Sequence, residues 1–428
     1  MTRYGPRIVD AEIRELLEGT RALSIEGARG VGKTTTVSQH ARTVFRLDDE
    51  HSLALLRAAP RRVLAAEPPV AIDEWQLFPD IWDLVRREVD QNPLQGRFIL
   101  CGSATPPQRP THSGAGRMVT VHMKPLALAE RWNSPEFASP TVSLAELLTG
   151  SRPNVGGTTE AGLDEYTREI CSGGLPGVRD EPPRVLRASL RSYIERALDV
   201  DFAEAGGTTR NPVLLRRWLH SYAAATGTIA SIEAIRSAAT SESDQVPSRP
   251  VSAKYHDALT RIGMLDPFPP WAPTLNRLSR LTRRPKHSLV DPALAASMLN
   301  LSADALLRGA GPGSAVQRVD VFVGGLFESL VGQSLRVYAQ AAEASVMHLR
   351  DSDGRHEVDF IVEGPDGRVV AVEVKFAAHV RDRHTVGLRW LAERIGDRLA
   401  NAVIVNTGPQ SYRRQDGIAV VPAALLGP

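Results

Sequence analysis

The feature that most restricts the fold of this chain is a glycine-rich sequence, GARGVGKT, at residues 27–34. It matches the pattern G-x-x-x-x-G-K-[ST] at every required position. It also follows an apolar run that predicts a strand (22–28) and opens a run that predicts a helix (33–42). In that setting backbone N–H groups can surround a phosphate, and the helix N-terminus adds a favourable dipole. The sequence therefore predicts a phosphate-binding loop.

Each residue of this loop is a candidate nucleotide contact. The set, with the residue that follows it, is Gly27, Ala28, Arg29, Gly30, Val31, Gly32, Lys33, Thr34 and Thr35. Lys33 is expected to act in catalysis by reaching the β- and γ-phosphates of ATP, and the Thr34 hydroxyl is expected to bind Mg²⁺. The alternative is a plain glycine-rich turn, which is weaker because pattern and context agree.

Acidic residues end a second predicted strand, PVAIDE (69–74). Asp73 is expected to lie beside the water shell of Mg²⁺, whereas Glu74 points elsewhere and is the candidate general base for an attacking water. An acidic strand end that faces solvent is the alternative. The next predicted strand ends in GSA (102–104), and Ser103 is a candidate γ-phosphate sensor or a simple turn serine.

The order of predicted elements divides the chain. From residue 22 to about 126, strands and helices alternate, which predicts a parallel, doubly wound α/β sheet. Helical patterns dominate from about 141 to 265, and an α-β-β-β-α-β order follows. The expected domains are an α/β domain at 1–150, a helical lid or linker at 151–206, a winged-helix-like domain at 207–304 and a further α/β domain at 305–428.

Five sequences, GARGVGKTT, AIDEWQ, RFILCGSA, HSGAGR and SGGLPG, together resemble the AAA+/STAND-like P-loop ATPases of bacteria and archaea. The resemblance covers nearly the whole chain and implies a C-terminal domain of unknown function. It also implies that Pro176, in a G-x-P motif, contacts the adenine base, although the residues alone show only a rigid turn. Arg117, before a predicted strand, is a candidate for stabilising transferred phosphate in cis or from a neighbouring subunit, or else a surface arginine.

A predicted β-hairpin at 277–291 is unusually basic. The cluster comprises Arg277, Arg280, Arg283, Arg284, Lys286 and His287. After the preceding helices this hairpin resembles the wing of a winged helix, and its charges would suit DNA in a salt-sensitive manner. The alternative is an exposed arginine-rich hairpin on a lid or protein-docking module.

Two predicted strands near the C-terminus, 356–364 and 368–377, carry ionisable residues among apolar ones. Asp359, thirteen residues and then Glu373-Val374-Lys375 resemble the signature of PD-(D/E)XK nucleases, which have a restriction-endonuclease-like fold. The resemblance implies that Glu328, Asp359 and Glu373 hold Mg²⁺ and that Lys375 assists a metal-bound water. The Pro-Asp pair of that motif is absent. A salt-bridged strand pair in an inactive relic of the fold is the alternative.

Composition narrows the setting. Two cysteines cannot form a disulfide framework, and no run of about 18 apolar residues occurs, so a cytoplasmic protein without a membrane span is expected. A net charge of +2 argues nothing about partners.

Two functions stay open: an ATPase whose nucleotide state controls a nucleic-acid-directed nuclease domain, or a regulatory switch or scaffold with a silent nuclease-like domain, for example in defence, signalling or a toxin–antitoxin system. A homo-oligomer is possible in either case.

Overall fold

A computed structural model describes most of the chain. The described residues are 4–102, 115–132, 140–151, 153–209, 211–239, 246–273, 283–309, 317–351 and 353–428. Within them, no helix is long and apolar enough to cross a membrane.

The N-terminal elements form a parallel sheet covered by helices. They are α1 (Val9–Gly19), β1 (Ala22–Gly27), α2 (Lys33–His40), β2 (Thr43–Arg46), α3 (Glu50–Ala58), α4 (Arg62–Ala65), β3 (Val70–Asp73), α5 (Asp80–Gln91), β4 (Phe98–Cys101), β5 (Val119–Met123) and α6 (Leu128–Arg131). The strand order is β2-β3-β4-β1-β5, and every neighbouring pair is parallel. This confirms the predicted parallel sheet. It also places the C-terminal ends of β1, β3 and β4 next to one another at the same end of the sheet.

Short elements and a set of helices follow. They are β6 (Val142–Ser143), α7 (Leu144–Leu148), α8 (Leu163–Ser172), α9 (Pro183–Arg196), a π-helical turn (Ala197–Asp201), α10 (Phe202–Glu204), α11 (Pro212–Ala224), α12 (Ile232–Ala238), α13 (Arg249–Arg261), α14 (Pro292–Met298) and α15 (Ala303–Gly309). Several begin at a capping residue, since the side chains of Asn211, Ser231, Ser248 and Asp291 accept backbone N–H groups of the first turn.

The predicted basic hairpin is described only in its second half. Residues 277–282 lie outside the described part of the chain, so Arg277 and Arg280 carry no structural statement. Among the described residues, 283–290 run antiparallel to 264–270, through bridges from Lys286 to Phe268 and from Leu289 to Leu265. Burial of the segment 283–290 explains this pairing, since Leu289 and Val290 join the hydrophobic core.

The C-terminal elements follow the predicted order. They are α16 (Gln317–Ala341), β7 (Ser345–Arg350), β8 (Glu357–Glu363), β9 (Val369–Val374), α17 (Val386–Ile395), β10 (Leu399–Asn406), β11 (Tyr412–Arg413), β12 (Ala419–Pro422) and β13 (Leu426–Gly427). One mixed sheet has the order β11-β12-β10-β9-β8-β7. Strands β7, β8 and β9 are antiparallel neighbours, and β9, β10 and β12 are parallel.

The segment after α6 belongs spatially with this C-terminal sheet. Strand β6 pairs in parallel with β13, and the side-chain amide of Asn401 donates to the carbonyls of Leu147 (2.7 Å) and Ser151 (3.1 Å). Leu144 and Leu147 of α7 are fully buried there. The expected first domain, 1–150, includes these residues. A two-residue strand and a five-residue helix carry too little sequence pattern to show their partner.

Candidate functional site

The phosphate loop connects β1 to α2 with the geometry that its glycines allow. Gly32 has φ = 97°, in the left-handed region that glycine tolerates. Gly27 lies so close to the backbone carbonyl of Met123 that a Cβ would collide with it. The buried guanidinium of Arg7 donates to the carbonyl of Val31 at 2.9 Å and so stabilises the conformation of the loop. Thr34 and Thr35 lie in the first turn of α2, Thr34 partly buried and Thr35 exposed.

Lys33, Asp73 and Glu74 meet at the carboxyl edge of the sheet. The Lys33 ammonium donates to the carbonyls of Gly27 (2.9 Å) and Ala28 (3.0 Å), and burial lowers its pKa. Asp73 is only 4% exposed, and its Oδ1 accepts no hydrogen bond from the described residues. Burial raises the pKa of Glu74, which has φ = 53° and accepts from the side chain of Gln76.

This donor set fits Mg²⁺. A buried carboxylate oxygen without a partner among the described residues and the hydroxyl of Thr34, in the first turn of α2, are hard oxygen ligands of the kind that Mg²⁺ prefers. The chain adopts a left-handed conformation at Glu74. Asp73 is buried, whereas Glu74 is partly exposed and contacts Gln76.

Helices of the middle region contact the phosphate loop directly. Arg29 forms an ion pair with Asp201 at 2.5 Å, and the Tyr193 hydroxyl donates to the Arg29 carbonyl at 3.1 Å. Pro176 lies beside Gly32, with its Cγ 3.5 Å from the point where a Cβ on that glycine would lie. Sequence reasoning missed Tyr193 and Asp201, because nothing local to α9 signals a contact with a loop more than 150 residues away.

A buried ion network lies behind the turn that carries Pro176. Glu169 of α8 accepts from Arg131 (3.3 Å), from Arg179 (3.1 Å) and from the indole N–H of Trp132 (2.9 Å). The Asp291 carboxylate accepts from the backbone N–H of Gly174 at 2.6 Å. These bonds fix the turn between α6 of the first sheet domain and the middle helices.

The two other residues that the sequence offered as nucleotide contacts are Arg117 and Ser103. Arg117 precedes β5, which pairs with β1 from Leu23 opposite Val119 to Gly27 opposite Met123. Arg117 therefore lies at the opposite end of the strands from the loop. At 3.3 Å per residue along β5, the separation is about 20 Å. There Arg117 pairs with Asp90 at 2.6 Å. The prediction of contact in cis is wrong, whereas contact with a neighbouring subunit stays a prediction. Ser103 lies outside the described residues.

The C-terminal carboxylates converge on two lysines. Asp359 of β8 accepts from the Val374 backbone N–H at 2.9 Å, and the Lys375 ammonium lies 2.6 Å from Glu373 and 3.6 Å from Asp359. Glu328 of α16 faces the same cluster. The structure thus brings together all four residues that the sequence singled out. The Glu373–Lys375 contact is the salt-bridged strand pair of the alternative reading.

A fifth residue, Lys286, enters this cluster from the middle region. Its ammonium lies 2.6 Å from Glu328, 3.1 Å from Asp359 and 3.3 Å from Glu357. Lys286 is 1% exposed, and His287 next to it is also 1% exposed. The prediction that these two residues face a DNA backbone is therefore wrong, since their side chains point into the protein. The partly buried Arg283 and the exposed Arg284 are not excluded by this finding.

Burial and mutual charge set the protonation of the cluster. Burial, with repulsion from Asp359, raises the pKa of Glu328 and of Glu373. Burial also opposes ionisation of Asp359, but Lys286 and Lys375 outweigh it and lower the pKa. Burial disfavours the charged form of Lys286 as well, yet the carboxylates raise its pKa overall. The network is thus centred on an ionised Asp359 between two ammonium groups.

The predicted C-terminal metal set does not fit a metal ion in this arrangement. In the part of the chain that the structure describes, no group of three His, Cys, Asp or Glu side chains is arranged to hold one. Glu328 and Asp359 come together, but around the ammonium of Lys286 rather than around an open position.

Comparison with known families assigns the first domain. Residues 19–132 match the AAA domain family. This match covers the phosphate loop, Asp73 and Glu74, and it supports ATP binding. Residues 163–305 and 323–426 match two domains of unknown function, DUF8612 and DUF4143, respectively. No curated protein matches the chain significantly.

Solved structures show only distant likeness. The Walker-type ATPase PABY2304 of Pyrococcus abyssi is 14% identical, with 68% of this chain and 94% of that chain covered and a TM-score of 0.35. Protein VC1899 from Vibrio cholerae is 10% identical over 94% of each chain, with a TM-score of 0.20. TM-scores of this size do not establish a shared fold.

Proposed function

We propose that the AAA domain binds and hydrolyses ATP with Mg²⁺ and that its nucleotide state is transmitted to the helical region. One observation carries the proposal: a buried ammonium, Lys33, and a buried carboxylate, Asp73, lie close together at the carboxyl edge of the sheet, and the carboxylate keeps an oxygen without a partner among the described residues. An unsatisfied buried carboxylate oxygen is costly unless a ligand completes it.

Each residue has a role that follows from its position. Lys33 and the N–H groups of the loop bind the phosphates, while Thr34 and Asp73 would hold Mg²⁺. Bound Mg²⁺ neutralises phosphate charge. Glu74, with a pKa raised by burial, takes a proton from the attacking water. Pro176, against Gly32, borders the same loop and is the proposed adenine contact.

Replacing Lys33 by alanine should weaken MgATP binding by about 10- to 100-fold, because charge-assisted hydrogen bonds contribute about 1.5–3 kcal/mol. Isothermal titration calorimetry measures the change. The matched control is Lys254→Ala, which removes an exposed lysine of α13. Equal MgATP affinity in wild type and both variants would refute the phosphate-site proposal.

The contacts of Arg29 support transmission to the middle helices. A γ-phosphate in the loop competes with Asp201 for the Arg29 guanidinium, which is half-exposed. We therefore expect MgATP to increase amide hydrogen exchange at residues 197–204, and Asp201→Ala to abolish most of that difference. Hydrogen-exchange mass spectrometry with ADP and ATP tests this. An ATP effect confined to residues 27–36 would contradict transmission by this route.

For the C-terminal domain we propose the regulatory alternative rather than a controlled nuclease. The carboxylates that would bind metal are already ion-paired with Lys286 and Lys375, which supports a silent domain. DNA as a partner stays a hypothesis that rests on Arg283, Arg284 and the segment before them.

A further inference from the structure

Asp359 has no free oxygen for a divalent cation, although Oε2 of Glu373 is buried and accepts no hydrogen bond from the described residues. Both oxygens of Asp359 accept from protein donors: Oδ1 from the Lys286 ammonium at 3.1 Å and Oδ2 from the Val374 N–H at 2.9 Å. Glu328 Oε1 accepts from the same ammonium at 2.6 Å. A divalent ion between these groups would have to displace Lys286 and would meet its positive charge at close range.

Lys286 is held in place by the backbone on both sides. It exchanges two hydrogen bonds with Phe268, at 2.9 and 3.0 Å, and His287 exchanges two with residues 227 and 228, at 2.8 and 2.9 Å. The ammonium lies 5.7 Å from the ring centre of Phe360, an additional favourable contact for a buried cation. Withdrawal of the side chain would require these segments to separate and would leave a buried charge unpaired.

Lys286 also supplies positive charge to the carboxylates around it. Its ammonium contacts the buried Glu328 and Asp359 and the partly exposed Glu357. Buried carboxylates require a positive partner, and here the chain itself supplies one from a separate region. The lysine therefore provides, at this position, positive charge that the nuclease resemblance assigned to Mg²⁺.

We propose that Lys286 is a resident cation that takes the place of a divalent metal among Glu328, Asp359 and Glu373. The cluster is then a permanent joint between the segment 283–290 and the C-terminal sheet. It binds no metal in any nucleotide state, and the C-terminal domain performs no metal-dependent cleavage. The inference concerns this cluster alone and does not require the first domain to hydrolyse ATP.

Manganese binding, followed by electron paramagnetic resonance, tests the proposal. All proteins carry Asp73→Asn, which removes the carboxylate of the nucleotide site. With Lys286 intact, we expect no Mn²⁺ binding that depends on Glu373, with or without ATP. Adding Lys286→Met should create one Mn²⁺ site, with an affinity at least about tenfold above any residual Mn²⁺ binding of the protein that keeps Lys286, since it removes the competing charge. A further Glu373→Gln change should abolish that site.

Stability provides a second readout. Lys286→Met should lower the melting temperature by about 5–10 °C, and millimolar Mn²⁺ should restore part of the loss in this variant only. The matched control, Lys254→Met, should have the same melting temperature as the protein that carries Asp73→Asn alone. Millimolar Mn²⁺ should change the melting temperature of both proteins equally.

Three results would overturn the proposal. The first is Mn²⁺ binding by the Asp73→Asn protein that Glu373→Gln removes. The second is a folded Lys286→Met variant that gains no metal site. The third is metal-dependent plasmid cleavage by the wild type that Asp359→Ala abolishes. If Lys286→Met does not fold, the first and third measurements still decide, because both use the native lysine.

Discussion

Glu74→Gln should slow ATP turnover by about 10²–10⁴-fold, the usual contribution of a general base, while MgATP affinity changes only a few-fold. Glutamine keeps the size of the side chain and the contact with Gln76 but cannot accept a proton from water. The phosphate loop, Lys33 and Asp73 stay intact, so the ground state should bind as before. Steady-state phosphate release and calorimetric binding, measured on the same preparation, separate the two effects.

The matched control for this variant is Glu67→Gln. Glu67 is exposed, precedes β3 and pairs with Arg42 at the sheet edge far from the phosphate loop. Its turnover should equal that of the wild type. If Glu74→Gln keeps more than about a tenth of the wild-type rate, another group activates the water and the role given to Glu74 is wrong.

Glu169→Gln should destabilise the protein by about 3–5 kcal/mol, because it leaves the buried Arg131 and Arg179 guanidinium groups without their main counter-charge. Glutamine keeps the volume and can still accept from Trp132. Urea unfolding followed by tryptophan fluorescence measures the loss. The control, Glu160→Gln, changes an exposed glutamate in the preceding loop and should alter stability by less than about 0.5 kcal/mol.

The pH dependence gives an independent check on the same residue. Burial alone would raise the pKa of Glu169, but Arg131 and Arg179 outweigh it and hold the pKa below its ordinary value of 4.5. A lowered pKa in the folded state stabilises the protein above the unfolded pKa, and the stabilisation is lost as the pH falls through the folded value. Wild-type stability should therefore fall in acid more steeply than that of Glu169→Gln. Parallel curves would contradict the charge network.

Local sequence was sufficient to predict that the phosphate loop, Asp73 and Glu74 follow strands of one parallel sheet. The phosphate loop, Asp73 and Glu74 are each defined by a few neighbouring residues, and a parallel sheet with β3 and β1 on either side of β4 brings them together. The C-terminal strands were equally readable, because alternation fixes which residues share a face. Asp359, Glu373 and Lys375 therefore converge as the period of two predicts.

The predictions that Arg117 contacts the nucleotide in cis and that Lys286 faces DNA are wrong because the positions of these residues depend on contacts that are distant in sequence. Arg117 follows a glycine-rich loop, but only the register of β5 on β1 shows which edge of the sheet it occupies. Lys286 belongs to a basic run and so resembles a surface residue. The pairing of its backbone with Phe268 turns it inward, and a single local window contains neither partner. A signal was present in the sequence, since Glu328, Asp359 and Glu373 outnumber Lys375 and buried carboxylates need a positive partner.

The pairing of β6 with β13 means that the C-terminal domain is discontinuous in sequence. Residues 140–151 complete a unit built mainly from 317–428, so the helices between them are an insertion in the sequence of that unit. A fragment that starts at residue 305 would lack α7 and leave the hydrophobic surface beneath Leu144 and Leu147 uncovered. Because both ends of the insertion join this unit, a displacement of its helices would act on the C-terminal unit through two chain connections as well as through Lys286.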